Sequence, residues 1–286
     1  MNALPKTVQP ALGGSGIAPS RLSCNKEVPG RIFKMLASSA LAILIVTISP
    51  SVFAADEKGA SGSGYVELGG GYTTGDFGTT TRSNLSYFAP TLGYVSRSWD
   101  VSVTLPYLVQ SNKTKDQTDV TSISSSAANG VGDVIVRGGG VLVPESEFGF
   151  SLDGGLALKL PTASGSNGLG TGETDYGASA GMHQRIGRFK VSAFGGYIKV
   201  GDPAGLNYND SLSYGGGISD IFGKTNVSAW FEARRSIIPG AKNPQEIYFS
   251  LFHVLSRKVA LKGGTFFGLN KGGPDFGLNI SVVRWF

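Results

Sequence analysis

Apolar and polar residues alternate with a period of two along most of the chain after residue 60. In "WDVSVTLPYLVQ", one face carries Trp99, Val101, Val103, Leu105, Tyr107 and Val109, and the other carries Asp100, Ser102, Thr104 and Gln110. Such alternation is typical of β-strands that present one apolar face. Because no stretch after residue 60 has helical periodicity, the pattern predicts an all-β fold.

The alternating segments predict a single up-and-down barrel of about twelve antiparallel strands. Tight turns follow the even-numbered strands, whereas longer polar loops follow the odd-numbered ones, notably residues 111–130, 161–174 and 201–210. This asymmetry is typical of transmembrane barrels of the bacterial outer membrane, which close because lipid offers the backbone no hydrogen-bond partners. A soluble two-sheet secreted protein is the alternative. The predicted strands cover residues 64–74, 84–95, 98–110, 131–143, 147–160, 175–186, 189–200, 211–222, 225–238, 246–255, 258–269 and 275–286.

Three hairpins give predicted registers that keep each residue on a consistent face. The predicted cross-strand pairs are Tyr94 with Trp99, Arg137 with Asp153, and Arg185 with Lys190. Pro90 and Pro106 lie inside predicted strands, where each removes a ladder hydrogen bond, so a bulge or an early strand end is expected there. The tenth strand, "EIYFSLFHVL", is apolar on both faces, and its register stays open.

Residues 1–54 predict an N-terminal extension with a cleavable signal peptide, which leaves residues 55–286 as the barrel. Arg31 and Lys34 precede an apolar run over residues 36–48, and Val52 and Ala54 occupy the small-residue positions of a cleavage site. The apolar run is too short to span a bilayer as a helix. Either the signal is unusually long or translation starts downstream of Met1.

The charge distribution argues against nucleic-acid binding. The net charge of +5 arises mainly before residue 55, where five basic side chains face one acidic one. The remaining chain is almost neutral, which gives no electrostatic basis for binding phosphate backbones. Cys24 is the only cysteine and precedes the predicted cleavage site, so disulfides and thiolate sites are excluded from the mature chain. No cofactor is predicted.

Two histidines, His183 and His253, are the candidates for enzymatic chemistry. An outer-membrane lipid hydrolase would need a serine beside a histidine, and Ser250 or Ser256 is the nearest candidate to His253. An odd spacing places Ser250 and His253 on opposite faces of a strand, which disfavours their contact. His183 is predicted to face the lumen. The chain is therefore expected not to be an enzyme.

Charged residues on the predicted inner face supply the candidate functional site. Glu67, Arg137, Asp153, Glu232, Arg234 and Lys262 lie near the middles of their strands. Charges of both signs around a narrow bore can select among small polar solutes. Alternatively, these residues pair only to neutralise buried charge inside a filled barrel. Glycines on the same face leave fewer bulky side chains to fill the bore.

Several short motifs resemble a known family. They are "LPYL" at residues 105–108, "GVGDVIVRGGG" at 130–140, "LKLPTASGSNGLGTGETDYG" at 158–177 and the closing "GPDFGLNISVVRWF". They are similar to outer-membrane transporters named for the MetA pathway of phenol degradation, although Ala163 stands where that family usually has glycine. The resemblance implies a barrel for uptake of small, aromatic or hydrophobic compounds and supplies no binding residues.

Together these features predict a monomeric outer-membrane channel that takes up small solutes passively. Its expected partners are outer-membrane lipid, the barrel-assembly machinery and a small-molecule solute. Phe286, at the end of the closing strand, is the predicted assembly signal. The alternative is a structural or surface-interaction barrel with a closed lumen, whose loops bind partners.

Overall fold

A computed structural model describes residues 62–78, 81–115, 123–163, 169–205 and 207–286. The predicted signal peptide and its cleavage site lie outside these residues. No helix in the described part of the chain is long and apolar enough to cross a membrane.

The described chain forms a closed antiparallel barrel of twelve strands, which confirms the predicted fold class. The strands are β1 (Ser63–Gly75), β2 (Thr81–Phe88 and Thr91–Val95), β3 (Trp99–Thr104 and Tyr107–Lys115), β4 (Ile123–Val131 and Val134–Val143), β5 (Ser151–Leu160), β6 (Asp175–Ile186), β7 (Phe189–Lys199), β8 (Ser211–Phe222), β9 (Thr225–Arg234), β10 (Gln245–Ser256), β11 (Val259–Gly268) and β12 (Pro274–Trp285). One helical turn, α1 (Glu145–Phe148), joins β4 to β5. The barrel closes between β1 and β12, where Tyr65 pairs with Trp285.

The two ends of the barrel differ in the length of their connections. We call the end that holds the connections after the even-numbered strands the short-turn end, and the opposite end the long-loop end. The loop predicted over residues 111–130 is largely strand, because β3 continues to Lys115 and β4 begins at Ile123. Only residues 116–122 of that segment lie outside the described chain, so most of the segment predicted as a loop is instead paired strand.

The outer surface of the barrel is apolar, as the alternation predicts. All six apolar residues predicted for one face of β3 are exposed, by between 39% and 49%. The polar residues between them, including Asp100 and Gln110, are buried on the inner face. On β10, Glu246, Tyr248 and Phe252 face inward, which settles the register that the sequence left open. An apolar outside and a polar inside are the arrangement expected of a barrel surrounded by lipid.

Three neighbouring strands break at matching positions. β2 breaks at Pro90 and β3 at Pro106, as predicted from the missing N–H of proline, and β4 breaks at Gly132 and Asp133. Backbone hydrogen bonds cross the breaks, from Leu105 N to Pro90 O at 3.1 Å and from Gly132 N to Pro106 O at 2.7 Å. The strands therefore bend together while the ladder between them stays bonded.

Two of the three predicted registers need correction. Tyr94 pairs with Val101 rather than with Trp99, a shift of two residues that preserves every face. Arg137 pairs with Ala157 rather than with Asp153. Here α1 lengthens the turn and the register shifts between Val141 and Val143, which a tight-turn prediction misses. The third pair, Arg185 with Lys190, is confirmed.

Glycines on the inner face leave room for aromatic rings that lie against the barrel wall. The cross-strand pairs are Gly71 with Tyr87, Gly93 with Tyr65, Gly215 with Phe194, Gly217 with Trp230, and Gly277 with Phe266. A Cβ at each of these glycines would overlap the ring opposite it. Such glycine–aromatic pairs stabilise curved sheets. The sequence predicts that glycines of this face leave fewer bulky side chains to fill the bore. In the structure, aromatic rings lie over these five glycines and occupy space that a side chain would otherwise take.

Replacing Gly277 with alanine is expected to lower the free energy of unfolding by about 1–3 kcal/mol, because the Phe266 ring, which is only 1% exposed, must move. Denaturant unfolding from lipid vesicles measures the effect. Gly263→Ala is the matched control, since the nearest atom to its Cβ would be Asn279 O at 3.9 Å. Equal stability of the two variants would contradict the role assigned to Gly277.

Candidate lumen site

A cavity of about 230 Å³ occupies the lumen, and every one of the twelve strands contributes to its lining. Aromatic side chains on its wall include Tyr87, Phe194 and Trp230. Five of the six charged residues predicted for the lumen also line it, and the sixth, Arg234, lies beside one of them. The predicted residues thus share the inner face, but they form separate groups.

The first group joins the strands that close the barrel. Lys262 Nζ on β11 donates to Glu67 Oε2 on β1 at 2.8 Å, and Ser281 Oγ on β12 donates to Glu67 Oε1 at 2.6 Å. Both carboxylate oxygens of Glu67 are therefore occupied by donors from neighbouring strands. Glu67 and Lys262, two of the predicted lumen charges, thus pair with each other. The sequence could not assign this pair, because it forms only when β1 pairs with β12 and the barrel closes.

Arg137 is the predicted charge that makes no salt bridge within the described residues. Its Nε and one Nη are buried and have no hydrogen-bond partner among the described residues. Tyr65, Glu67 and Asp100 lie close enough to interact with its charge. The interaction predicted with Asp153 is absent because the register places Ala157 opposite Arg137. Arg137 thus lines the cavity and carries two buried donors that no described residue satisfies.

Asp153 belongs to a different group, with His183 and Ser192. His183 Nε2 contacts Asp153 Oδ1 at hydrogen-bond range, and His183 Nδ1 lies 2.7 Å from Ser192 Oγ. His183 lines the lumen as predicted, but its carboxylate partner was missed because the prediction assigned Asp153 to Arg137. Strands β5, β6 and β7 supply one residue each.

This Asp–His–Ser chain differs from a hydrolytic triad. In a serine hydrolase the carboxylate binds Nδ1 and the nucleophile lies at Nε2, whereas here the two nitrogens have the opposite partners. Ser192 is also absent from the cavity lining. On β10, His253 bonds Thr225 while Ser250 bonds Ser228, so His253 and Ser250 make separate contacts, as their odd spacing predicts.

Arg234 is held near the long-loop end by two acidic residues. It donates to Glu246 Oε2 at 2.9 Å and Oε1 at 2.6 Å, and lies 3.4 Å from Glu232 Oε1. Tyr248 donates to the same Glu246. Glu232 and Arg234 thus pair with each other, as the alternative of neutralised buried charge predicts, whereas Glu246, which is fully buried, was missed.

Lys159 anchors the loop between β5 and β6. Its Nζ lies 3.1 Å from a carboxylate oxygen of Asp133 and of Asp175, and donates to Thr171 Oγ1 at 2.8 Å. The Lys159 side chain is only 3% exposed. The breaks in the strands contribute directly, because Asp133 lies at the break in β4 and also accepts from Ala163 N at 3.0 Å.

The described part of the 161–174 loop packs inside the barrel. Leu169 is 0% exposed and contacts Leu85, Leu108 and Ala163 on the inner side of the bent strands. The sequence predicts a long polar loop here, because glycine and polar residues dominate residues 161–174. Leu169, an isolated apolar residue in a polar loop, is the signal that could have indicated burial.

A second apolar cluster covers the long-loop end. Ile198 and Val200 of the β7 region pack against Ile237, with Tyr208 and Ile238 beside them. Burial raises the pKa of the Tyr208 phenol above its ordinary value. The described parts of the loops after β7 and β9 therefore pack against each other at the long-loop end.

Comparison with known proteins identifies the fold. No family model and no curated protein matches the chain, so the resemblance to the MetA-pathway transporters stays a prediction. An outer membrane channel from Pseudomonas putida F1 is similar in structure, with 16% sequence identity and a TM-score of 0.63 over 79% of this chain and 96% of that one. The translocator domain of the autotransporter NalP from Neisseria meningitidis gives 11% identity and a TM-score of 0.53 over 88% and 99%. At these identities, the likeness establishes the barrel fold.

Proposed function

We propose that the chain is a monomeric outer-membrane channel through which small solutes diffuse passively, without a cofactor. The observation that carries this proposal is the lumen cavity, to which all twelve strands contribute. A barrel built only as a scaffold would fill its bore with packed side chains, as small barrels do. The apolar belt on the outside suits insertion in lipid, with the short turns in the periplasm.

The lining suits solutes that combine an apolar body with a polar or anionic group. The rings of Phe194 and Trp230 lie 6.1 Å apart on one wall, and Tyr248 also lines the cavity. Arg137 adds a positively charged guanidinium to the cavity lining. Small aromatic or hydrophobic compounds are therefore the solute class that we favour.

A closed surface-interaction barrel is the second candidate, and the long-loop end supports it. There, described loop segments are held by two apolar clusters, one around Leu169 and one around Ile237. In the channel proposal, one of these loop segments must move to admit solute. In the closed-barrel alternative both stay in place, and the external loop surfaces bind a partner.

Arg137→Gln is expected to decrease the permeability of the channel to anions relative to cations. A unit charge acts on an ion about 4 Å away by about 1 kcal/mol in water, which corresponds to about a fivefold change in relative permeability. The reversal potential in a potassium chloride gradient across a planar bilayer measures this change.

Arg97→Gln is the control, because Arg97 is exposed at the turn between β2 and β3, outside the lumen. We expect it to leave the reversal potential unchanged. Conducting protein whose selectivity is the same in wild type and Arg137→Gln would remove Arg137 from the solute path.

A further inference from the structure

Six exposed basic residues lie along the short-turn end of the second half of the barrel, each in or beside a turn or strand end of β6 to β12. Arg185 is one of them, and we call the other five the basic arc. Its members are Arg188, Lys224, Arg257, Lys258 and Arg284. Arg188, Lys224, Arg257 and Lys258 lie in turns, and Arg284 lies one residue before the end of β12. Their alignment depends on the order of strands around the barrel.

Contacts between neighbouring strands make the arc continuous. The Arg188 guanidinium lies 4.9 Å from the centre of the Phe222 ring, next to the turn that carries Lys224. Val254 N donates to Lys224 O at 2.9 Å, which joins that turn to the end of β10. Trp285 N donates to Lys258 O at 2.9 Å, which places the end of β12 beside the last turn. The cations thus follow one edge without a gap between strands.

The arc has little acidic compensation. Asp220 binds Arg188, and within the described residues the other four members make no salt bridge. The long-loop end differs, since Arg82 lies 3.1 Å and Lys271 2.9 Å from oxygens of Asp275. These two cations of the long-loop end are therefore paired with a carboxylate, whereas among the described residues four of the five cations of the arc are not.

Exposed apolar side chains of the outer surface adjoin the arc. Phe189, Phe222, Leu255 and Phe286 are all more than 40% exposed at the same end. Arg188 contacts both Phe189 and Phe222, so a cation and two rings share one surface. This combination of charge and apolar surface matches a phospholipid at the interface, where a headgroup meets acyl chains.

We propose that the basic arc binds the headgroups of anionic phospholipids, such as phosphatidylglycerol, in the leaflet that faces the short-turn end. The phosphates contact the cations, and the acyl chains lie on the apolar side chains above them. The barrel then holds a shell of anionic lipid on one side and orients itself by it. Solute transport is not required for this binding, so the two proposals fail independently.

Native mass spectrometry of the detergent-purified barrel, with equal amounts of phosphatidylglycerol and phosphatidylcholine of the same chain length, tests the proposal. The test variant is Lys224→Gln/Arg257→Gln/Lys258→Gln. Each surface cation contributes about fivefold to binding of anionic lipid, so we expect at least about a tenfold loss of phosphatidylglycerol adducts. Phosphatidylcholine adducts should stay unchanged.

The matched control removes three exposed cations at the long-loop end, Lys199→Gln/Arg235→Gln/Lys242→Gln. It should retain the wild-type preference. An equal loss in both triple variants, or no loss in the test variant, would overturn the proposal. A salt titration of the wild-type protein decides the matter if the test variant does not fold, because the preference for phosphatidylglycerol must then fall as salt screens the arc. A preference that salt leaves unchanged would equally overturn it.

Discussion

Arg234→Met is expected to lower the free energy of unfolding of the barrel by about 3–5 kcal/mol. Arg234 holds Glu246 through two hydrogen bonds and also lies beside Glu232. Both carboxylates are almost fully buried, at 0% and 2% exposure of their side chains. Without the guanidinium, the carboxylates of Glu232 and Glu246 stay buried without their cation. Burying an unpaired charge lowers the free energy of unfolding by far more than the intact ion pair contributes to it.

Urea unfolding from lipid vesicles, followed by tryptophan fluorescence, measures the loss. Arg235→Met is the matched control, since the neighbouring Arg235 is exposed and its replacement should cost little. Adding Glu246→Leu to Arg234→Met should restore part of the stability by removing one orphaned carboxylate. If Arg234→Met and Arg235→Met unfold at the same urea concentration, the buried cluster does not stabilise the barrel.

Lys159→Met is expected to release the inward loop as well as to destabilise the barrel, again by about 3–5 kcal/mol. Lys159 is the shared partner of Asp133 and Asp175, and its Nζ also holds Thr171 in the loop. Its loss leaves two buried carboxylates, each with a single backbone donor, from Ala163 N and Gly201 N. Mutual repulsion of these carboxylates then favours opening of the segment around Leu169.

Limited proteolysis detects this release, because cleavage within residues 161–174 should become faster in Lys159→Met than in wild type. In planar bilayers, the same variant should show larger or more frequent openings if the loop obstructs the path. Lys199→Met removes an exposed lysine from the nearby end of β7 and should change neither property. A loop that resists protease equally in both variants would show that Lys159 does not hold it.

The strand faces and the two proline breaks could be predicted from the sequence because both follow from local properties of the chain. Alternation on β3 assigns each side chain to a face, and Pro90 and Pro106 lack an N–H wherever they lie. The break at Asp133 was missed because its cause is not local. Asp133 turns toward Lys159 on the next strand, a contact that exists only after the strands pair.

The sequence identified the charged residues of the lumen but did not identify which of them form ion pairs. Glu67 forms its ion pair with Lys262 only because β1 pairs with β12 and closes the barrel. Arg137 does not lie opposite Asp153, because α1 lengthens the turn and shifts the register. A residue's face follows from its parity along a strand, whereas its partner depends on the length of every turn between the two strands. In the 161–174 loop, Leu169 is a local sign of burial, but the place where it packs depends on the breaks in three neighbouring strands, which the sequence of the loop does not determine.

Single-channel recording of the purified protein in planar bilayers tests the central claim most directly. If the lumen cavity is part of a solute path, the wild-type protein gives discrete conductance steps whose ion selectivity changes with Arg137→Gln, and Lys159→Met increases the time spent open. If folded, heat-modifiable wild-type protein and Lys159→Met both show no conductance, the channel account is wrong and the barrel is a closed one.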